Sequence, residues 1–148
     1  MKKPKRLFEF LEYQLENPLV KSINTKYNGK WESLSTNDFY KKVQILSRKL
    51  IEIGIKKGEK IGLISTQNRT EWCIADNSVL QIGAVTVPIY PTISKNEFQY
   101  VLNHSESKIC FVSDKDIFDK VNEIKDKTKL QEIYSFEEFE NCPNWNLL

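Results

Sequence analysis

Three hydroxyls stand where an open α/β sheet would present chemistry. Ser65 and Thr66 end or follow the apolar run KIGLIS, and Ser113 ends KICFVS. This places all three at the carboxyl ends of expected strands, the edge at which ligands of doubly wound sheets bind. Capping the next helix is the ordinary duty of a hydroxyl there, and it is the duty expected here. The loop Ser65-Thr66-Gln67-Asn68 contains no glycine. Neither G-x-G-x-x-G nor the P-loop pattern is therefore present, and backbone amides cannot approach a pyrophosphate closely. His104 is the only histidine, so a metal cluster or triad would have to be built from other residues. It lies near an expected helix C-terminus, where an imidazolium is favourable. Trp72 and Tyr90 could line a pocket, although aromatics in such segments usually join the core. Pro88 and Pro91 bracket Ile89-Tyr90 and confine the backbone to extended or turn conformations. Tyr90-Pro91-Thr92 is thus a stiff strand exit, suited to presenting a surface to a ligand.

The elements that would position these groups follow from periodicity. Leu7, Leu11 and Leu15 mark a helix over residues 6–16, ended by Pro18. Runs at Lys21–Tyr27 and Lys30–Ser33 flank Asn28-Gly29, the strongest short hairpin signal. Ser35 or Thr36 caps a helix over Asp38–Ile53, whose stripe is Phe39, Val43, Leu46, Leu50 and Ile53; Gly54 ends it. Beyond this the chain alternates. Strands are expected at Lys60–Ser65, Ala84–Ile89, Lys108–Ser113 and Glu132–Tyr134. Helices are expected at Arg69–Ile82 with Gly83 as its stop, from the Ser94/Glu97 capping box to Asn103, and from Asp114 to Lys125. A last short helix would open at a second capping box, Ser135 with Glu138. The fold class is α/β: a partial, doubly wound, mostly parallel sheet with helices on both faces, preceded by a helix and a β-hairpin.

The chain has 148 residues, 40% hydrophobic and 28% charged, which suits one globular domain. Its 22 basic and 20 acidic residues give a net charge of +2, which is not the clustered basic footprint of a nucleic-acid binder. Lys2, Lys3, Lys5 and Arg6 crowd the N-terminus, and Glu132, Glu137, Glu138 and Glu140 mark the end. Both read as solvated. Glutamates interrupt any apolar signal segment after the basic start, and no stretch approaches the length of a membrane span. Cys73, Cys110 and Cys142 match neither a disulfide framework nor a zinc pattern. The expected location is cytoplasmic.

The segment NRTEWCIADNSVLQIGAVTVPIYPTISKNEFQYVLNHSESKICFVSD, residues 68–114, resembles the N-terminal part of the AMP-forming acyl-CoA synthetases of the adenylate-forming superfamily. Its Val-Pro-Ile-Tyr-Pro-Thr string, Val87 to Thr92, is similar to the long-chain fatty-acid–CoA ligase branch. Tyr27-Asn28-Gly29-Lys30-Trp31, the helix Asp38–Ile53 and Gly54–Ile64 match the same family's opening, so the resemblance runs from about Leu7 to Trp145. It implies that residues 1–148 are the N-terminal part of the large AMP-binding (adenylation) domain, ending before the phosphate-binding loop. It also implies a reaction in which ATP and a fatty acid give an acyl-adenylate and pyrophosphate, after which coenzyme A displaces AMP. ATP, Mg²⁺ and CoA would serve the whole enzyme, and none is expected to bind these residues tightly. No catalytic residue and no metal ligand carries over. Tyr90 and Thr92 correspond to a segment near the pantetheine channel. Lys115 and Lys120 lie on the helix that approaches the CoA nucleotide in some relatives, with Phe118 and Val121 near the places where arginines would hold phosphates.

The partners implied are fatty acid, ATP and CoA, with no nucleic acid and no transmembrane segment. The resemblance is compatible with peripheral membrane association and with a homodimer. The contrasting reading is a non-catalytic interaction module built on the same scaffold.

Overall fold

The computed structural model describes residues 3–148. A short helix α1 (Glu9–Gln14) leads into the hairpin β1 (Ile23–Tyr27) and β2 (Lys30–Leu34). There follow α2 (Thr36–Glu52), β3 (Lys60–Ile64), α3 (Thr70–Gln81), β4 (Val85–Ile89), α4 (Lys95–Ser105), β5 (Ile109–Val112), α5 (Lys115–Asn122) and β6 (Glu132–Ser135). The hairpin is a separate antiparallel pair. The other four strands form one parallel sheet in the order β4-β3-β5-β6.

Strand alternation divides the core into two layers. Ile61, Leu63, Ile109 and Phe111 face one side, where they meet Phe39, Val43, Leu46 and Leu50 of α2 and Ile74, Ala75 and Val79 of α3. Ile64, Ile89, Cys110 and Val112 face the other, against Phe98 and Leu102 of α4 and Ile117, Phe118 and Val121 of α5. Both central strands are covered on both faces, which is why they read as unbroken apolar runs. Pro88 sits on β4, an edge strand, where its missing N–H deprives no second neighbour.

The helix ends show why the local signals worked. Ser35 accepts from the Asp38 amide at 3.1 Å and caps α2. Gly54, at φ +92°, closes it in a Schellman motif: the Gly54 amide donates to the Ile51 carbonyl and the Ile55 amide to Leu50. This turn puts Ile55 into the core and leaves Ile53, expected on the buried stripe, 43% exposed. Gly83 ends α3 by the same motif, and the Ser94–Glu97 capping box opens α4 as expected. Helix α4 continues past Asn103 to Ser105, with Glu106 taking the left-handed position usually given to glycine. The turn at Asn28-Gly29 has both residues at positive φ, as a type I′ hairpin requires.

Three further boundaries differ from the expectation. Helix α1 is shorter than 6–16, because the Glu9 carboxylate accepts from the Lys5 and Arg6 amides and holds the preceding residues in a turn. The α5 helix stops at Asn122, and a 3₁₀ turn occupies Lys125–Lys127. The Ser135/Glu138 helix does not form. The Ser135 hydroxyl accepts from the Glu137 amide at 3.1 Å, and the chain loops back to a bridge between Ser135 and Asn144 before a 3₁₀ turn at Trp145–Leu147. Burial of Phe136 decides this. It stacks on Phe111 at 6.0 Å and takes Trp145 edge-on at 5.2 Å, contacts that a helix beginning there would forfeit.

One glycine sets the closeness of the second layer. A Cβ on Gly62 would lie 2.9 Å from Cys110 Sγ and 3.2 Å from a Leu102 methyl. Gly62→Ala is therefore expected to cost about 1–3 kcal/mol through overpacking. In urea denaturation the double variant Gly62→Ala/Cys110→Ala should lose clearly less than the sum of the single losses. Strictly additive losses would contradict the close approach as the cause.

Candidate functional site

The strand order reverses between β3 and β5, because β4 follows β3 on one side and β5 follows on the other. The crevice outside the carboxyl ends of these two strands is where a doubly wound sheet offers a ligand site. Here the protein's own side chains bridge it. The Thr66 amide donates to Ser113 Oγ at 3.0 Å, and the Thr66 hydroxyl donates to Asp114 Oδ2 at 2.8 Å. Ser113 donates to the same carboxylate oxygen at 2.6 Å. Asp114 Oδ1 accepts from the Ile117 amide at 3.1 Å and so caps α5. Burial pushes the Asp114 carboxyl up, but the bonds from Ser113, Ile117 and Thr66 outweigh it and hold the group below its ordinary range. The helix after Ser113 is thus capped by Asp114, the residue at which it was expected to open, and neither Ser65 nor Thr66 caps α3. Thr66 and Ser113 join two strands instead, and Ser65 donates to the Gln67 carbonyl.

Arg69, at the N-cap of α3, occupies the floor beside this bridge, with its side chain 10% exposed. Its Nε and Nη2 grip Glu71 at 3.1 and 3.0 Å, and Nη1 donates to the Ser113 carbonyl at 3.2 Å and to Glu137 at 3.1 Å. The guanidinium carbon lies 5.8 Å from the Tyr27 ring centre and 5.5 Å from that of Phe136. Tyr27 donates its phenolic hydrogen to Glu71 at 2.5 Å. Burial would raise the Glu71 carboxyl, but the hydrogen bonds from Arg69 and Tyr27 prevail and keep it below its ordinary range. The same burial, joined by the bond to Glu71, pushes the Tyr27 hydroxyl up to about 12. Four of the five guanidinium N–H groups are committed, so this arginine cannot also fork onto a phosphate. The first turn of α3 is completed from the hairpin, where buried Thr25 accepts from the Thr70 amide at 2.8 Å.

A cleft of about 460 Å³ opens beside this joint, between the hairpin, α2, α3 and the C-terminal turn, with Tyr27, Lys42, Arg69, Glu71 and Trp145 among its walls. It is mixed in polarity, and its two innermost charges neutralise each other. No group of three or more His, Cys, Asp or Glu side chains is placed to hold a metal among the described residues. His104 stacks on Tyr100 along α4, with ring centres 5.7 Å apart. Trp72 is half-buried against the first core layer.

The residues singled out for coenzyme A lie apart. Tyr90, 80% exposed, and Thr92, also exposed, stand in the loop after edge strand β4. Lys115 and Lys120 are on α5, after β5 and two strands away, about 10 Å in sheet spacing. The ammonium of Lys115 lies 2.6 Å from Asp119, while Lys120 has no ion-pair partner among the described residues. Five residues apart on one helix, the two lysines point about 140° from each other. Tyr90 is not core, contrary to the usual fate of such aromatics, and Phe118 and Val121 are buried core residues rather than surface positions. The Arg69–Glu71–Tyr27 network is the part that sequence reasoning missed. An arginine followed two residues on by a glutamate at a helix start was its one signal, and the tyrosine is more than 40 residues away.

Residues 12–146 match the AMP-binding enzyme family. A long-chain-fatty-acid–CoA ligase, FadD15, of Mycobacterium bovis is 30% identical over 100 residues, covering 68% of this chain and 16% of that protein. Fatty acyl-CoA synthetase A of Dictyostelium discoideum is 35% identical over 68 residues, 46% of this chain and 10% of that protein. The chain thus spans less than a fifth of the length of the curated relatives it matches. In fold it superposes on a crystal structure of a long-chain-fatty-acid-CoA ligase from Archaeoglobus fulgidus with a TM-score of 0.81 at 19% identity, covering 96% of this chain and 29% of that one. An anthranilate CoA ligase in complex with anthranoyl-AMP gives a TM-score of 0.79 at 16% identity, covering 99% and 27%.

Removing Arg69 should strand the half-buried Glu71. Arg69→Ala is expected to cost about 3 kcal/mol, the order found when one partner of a buried pair is lost. Glu137→Gln, which touches only the exposed arm, should cost less than about 1 kcal/mol. Equal losses in urea denaturation would contradict the hub. The depressed carboxyls give a pH dependence of definite sign. Glu71 and Asp114 titrate lower folded than unfolded, so they stabilise fully above their unfolded values near pH 4, and that contribution fades as pH falls through the folded ones. The urea midpoint should drop in acid, and less steeply for Glu71→Gln. An unchanged acid slope in that variant would exclude Glu71 as a contributor.

Proposed function

The chain belongs to the AMP-binding enzyme family, and from that premise we propose that it forms the N-terminal part of the adenylation domain of a long-chain fatty-acid–CoA ligase. The carrying observation is the match over residues 12–146, together with relatives that are themselves long-chain ligases. In this reading a fatty carboxylate attacks the α-phosphorus of ATP, giving acyl-AMP and pyrophosphate. The thiol of coenzyme A then attacks the acyl carbon, giving the thioester and AMP. A cytoplasmic location goes with it.

The role of these 148 residues within that reaction is structural. They contain no glycine-rich loop, their one deeply held arginine is committed to Glu71, Glu137 and Ser113, and no metal-ligand cluster lies among the described residues. No chemical step is assigned to them. What they supply is a parallel sheet packed on both faces and an exposed strand exit at Tyr90-Pro91-Thr92. We assign coenzyme A contact to Tyr90, Thr92 and Lys120, and to Lys115 once it is released from Asp119. The separation of these groups across two strands suits an extended ligand rather than a single phosphate.

The 148-residue chain, given ATP, Mg²⁺ and palmitate, is expected to show no ATP–pyrophosphate exchange above a protein-free blank; exchange would overturn the scaffold role. The coding sequence is expected to continue in frame past Leu148 into a Ser/Thr- and Gly-rich loop ending in Pro-Lys-Gly. A stop at that point would contradict the ligase assignment. Titration with coenzyme A should move the amide resonances of residues 90–92 and 115–120 only at about millimolar ligand, as contacts this sparse imply. Resonances unmoved at that concentration would remove the proposed contacts.

A further inference from the structure

Asn28 is the one asparagine of this chain that a glycine follows. Every other asparagine precedes a residue whose side chain crowds the next backbone nitrogen. Asn28 and Gly29 form the tip of the β1–β2 hairpin, both exposed and both at positive φ, +47° and +81°. A Cβ built on Gly29 would meet nothing within 4 Å, so the space beside its nitrogen is open. Neither the Gly29 amide nor the Asn28 carboxamide has a hydrogen-bond partner among the described residues. The neighbouring residue is held firmly. Tyr27 pairs with Lys30 in the ladder, and its hydroxyl donates to Glu71 at 2.5 Å. An uncommitted tip thus adjoins the residue that docks the hairpin.

We propose that Asn28-Gly29 is a site of covalent self-modification, at which the asparagine loses ammonia and becomes isoaspartate, loosening the hairpin from the Arg69 joint. The Gly29 nitrogen gives its proton to solvent base and attacks the Asn28 Cγ. The Cγ–Nδ2 bond breaks, and the leaving nitrogen takes its electron pair and a proton and departs as ammonia. The five-membered imide so formed then adds one water. Opening at Cγ gives aspartate, and opening at the main-chain carbonyl gives isoaspartate, whose backbone runs through Cβ and Cγ. Water enters, ammonia leaves, and nothing is oxidised or reduced. Ring closure requires Asn28 to rotate out of its turn conformation. Only the tip has to open for this, because no bond or packed side chain holds it. The two products differ in consequence. Aspartate keeps the backbone, and Asp-Gly suits a type I′ turn as Asn-Gly does. Isoaspartate adds an atom to the main chain between Tyr27 and Lys30, which a two-residue turn does not accommodate. The pairing of Tyr27 with Lys30 is lost, Tyr27 moves off Glu71, and the half-buried carboxylate keeps only Arg69.

The test holds the folded 148-residue chain in mildly alkaline buffer, which favours loss of the Gly29 proton, and maps its peptides by mass spectrometry over several weeks. The mass gain of exchanging NH₂ for OH is expected at residue 28, about tenfold or more faster than at any other asparagine. An isoaspartyl methyltransferase, used as a reagent, should label the same peptide, and the urea midpoint should fall as the label accumulates. Asn28→Gly keeps a turn-compatible pair without the carboxamide, so it should take no label there and hold its midpoint. Asn28→Asp, measured fresh, should unfold with the parent, which assigns the loss to the added backbone atom rather than to the new charge. The proposal is overturned by conversion at residue 28 no faster than elsewhere, by an equal fall in the aged Asn28→Gly variant, or by a fresh Asn28→Asp variant already as unstable as the aged parent.

Discussion

The guanidinium of Arg69 is held at once by three stretches of chain that the sequence keeps far apart. It takes the Glu71 carboxylate on its own helix, the Ser113 carbonyl at the end of β5, and Glu137 beyond β6, and it lies between the rings of Tyr27 and Phe136. A buried cation is costly unless its donors are matched, and only this convergence of acceptors makes the position tolerable. The hairpin is docked through Tyr27 onto Glu71 and through Thr25 onto the first turn of α3. These bonds act together with Ile23 and Leu34, which pack the two-stranded unit against the first core layer. The same joint decides what the carboxyl edge of the sheet can do. Thr66, Ser113 and Asp114 stitch β3 to β5 where a nucleotide-binding fold would keep a glycine-rich turn open.

The sheet itself rests on a different constraint, the filling of both faces. Gly62 lets Cys110 and Leu102 come close on one side, while Ile61 and Leu63 pack against α2 and α3 on the other. Helices α2 and α3 close with a left-handed glycine whose following residue, Ile55 or Ala84, returns to the core. Helix termination and core packing are therefore one event, and the turns contribute apolar burial as well as a change of direction.

These features explain what could be read in the sequence. The alternation of strand and helix, the I′ turn at Asn28-Gly29, the Ser35 cap, the Ser94–Glu97 box and the glycine stops all depend on residues a few positions apart, and all were legible. Two readings failed, one to distant burial and one to the turn that ends the helix. Ser135 and Glu138 have the spacing of a capping box, yet Phe136 gains more between Phe111 and Trp145 than a one-turn helix would give. Ile53 has the phase of the buried stripe, yet Gly54 turns the chain before it can be used. The hydroxyls at 66 and 113 were located correctly but given the wrong duty, since a bond between two strands 47 residues apart leaves no local trace. The Arg69 network was invisible for the same reason. The family resemblance was legible because its motif, Val87 to Thr92, is contiguous.

The carboxyl edge of the sheet is closed by its own side chains, and this closure is what the proposed scaffold role depends on. The most direct test follows the amide resonances of Thr66, Asn68, Arg69 and Ser113 while ATP and Mg²⁺ are added to about 5 mM, a range that reports even weak association. These resonances are expected to stay in place, because the Thr66 and Ser113 hydroxyls and four of the five Arg69 N–H groups are already bonded within the joint. Saturable movement of Thr66 and Ser113 together would show the crevice opening to a nucleotide, and would contradict this closure.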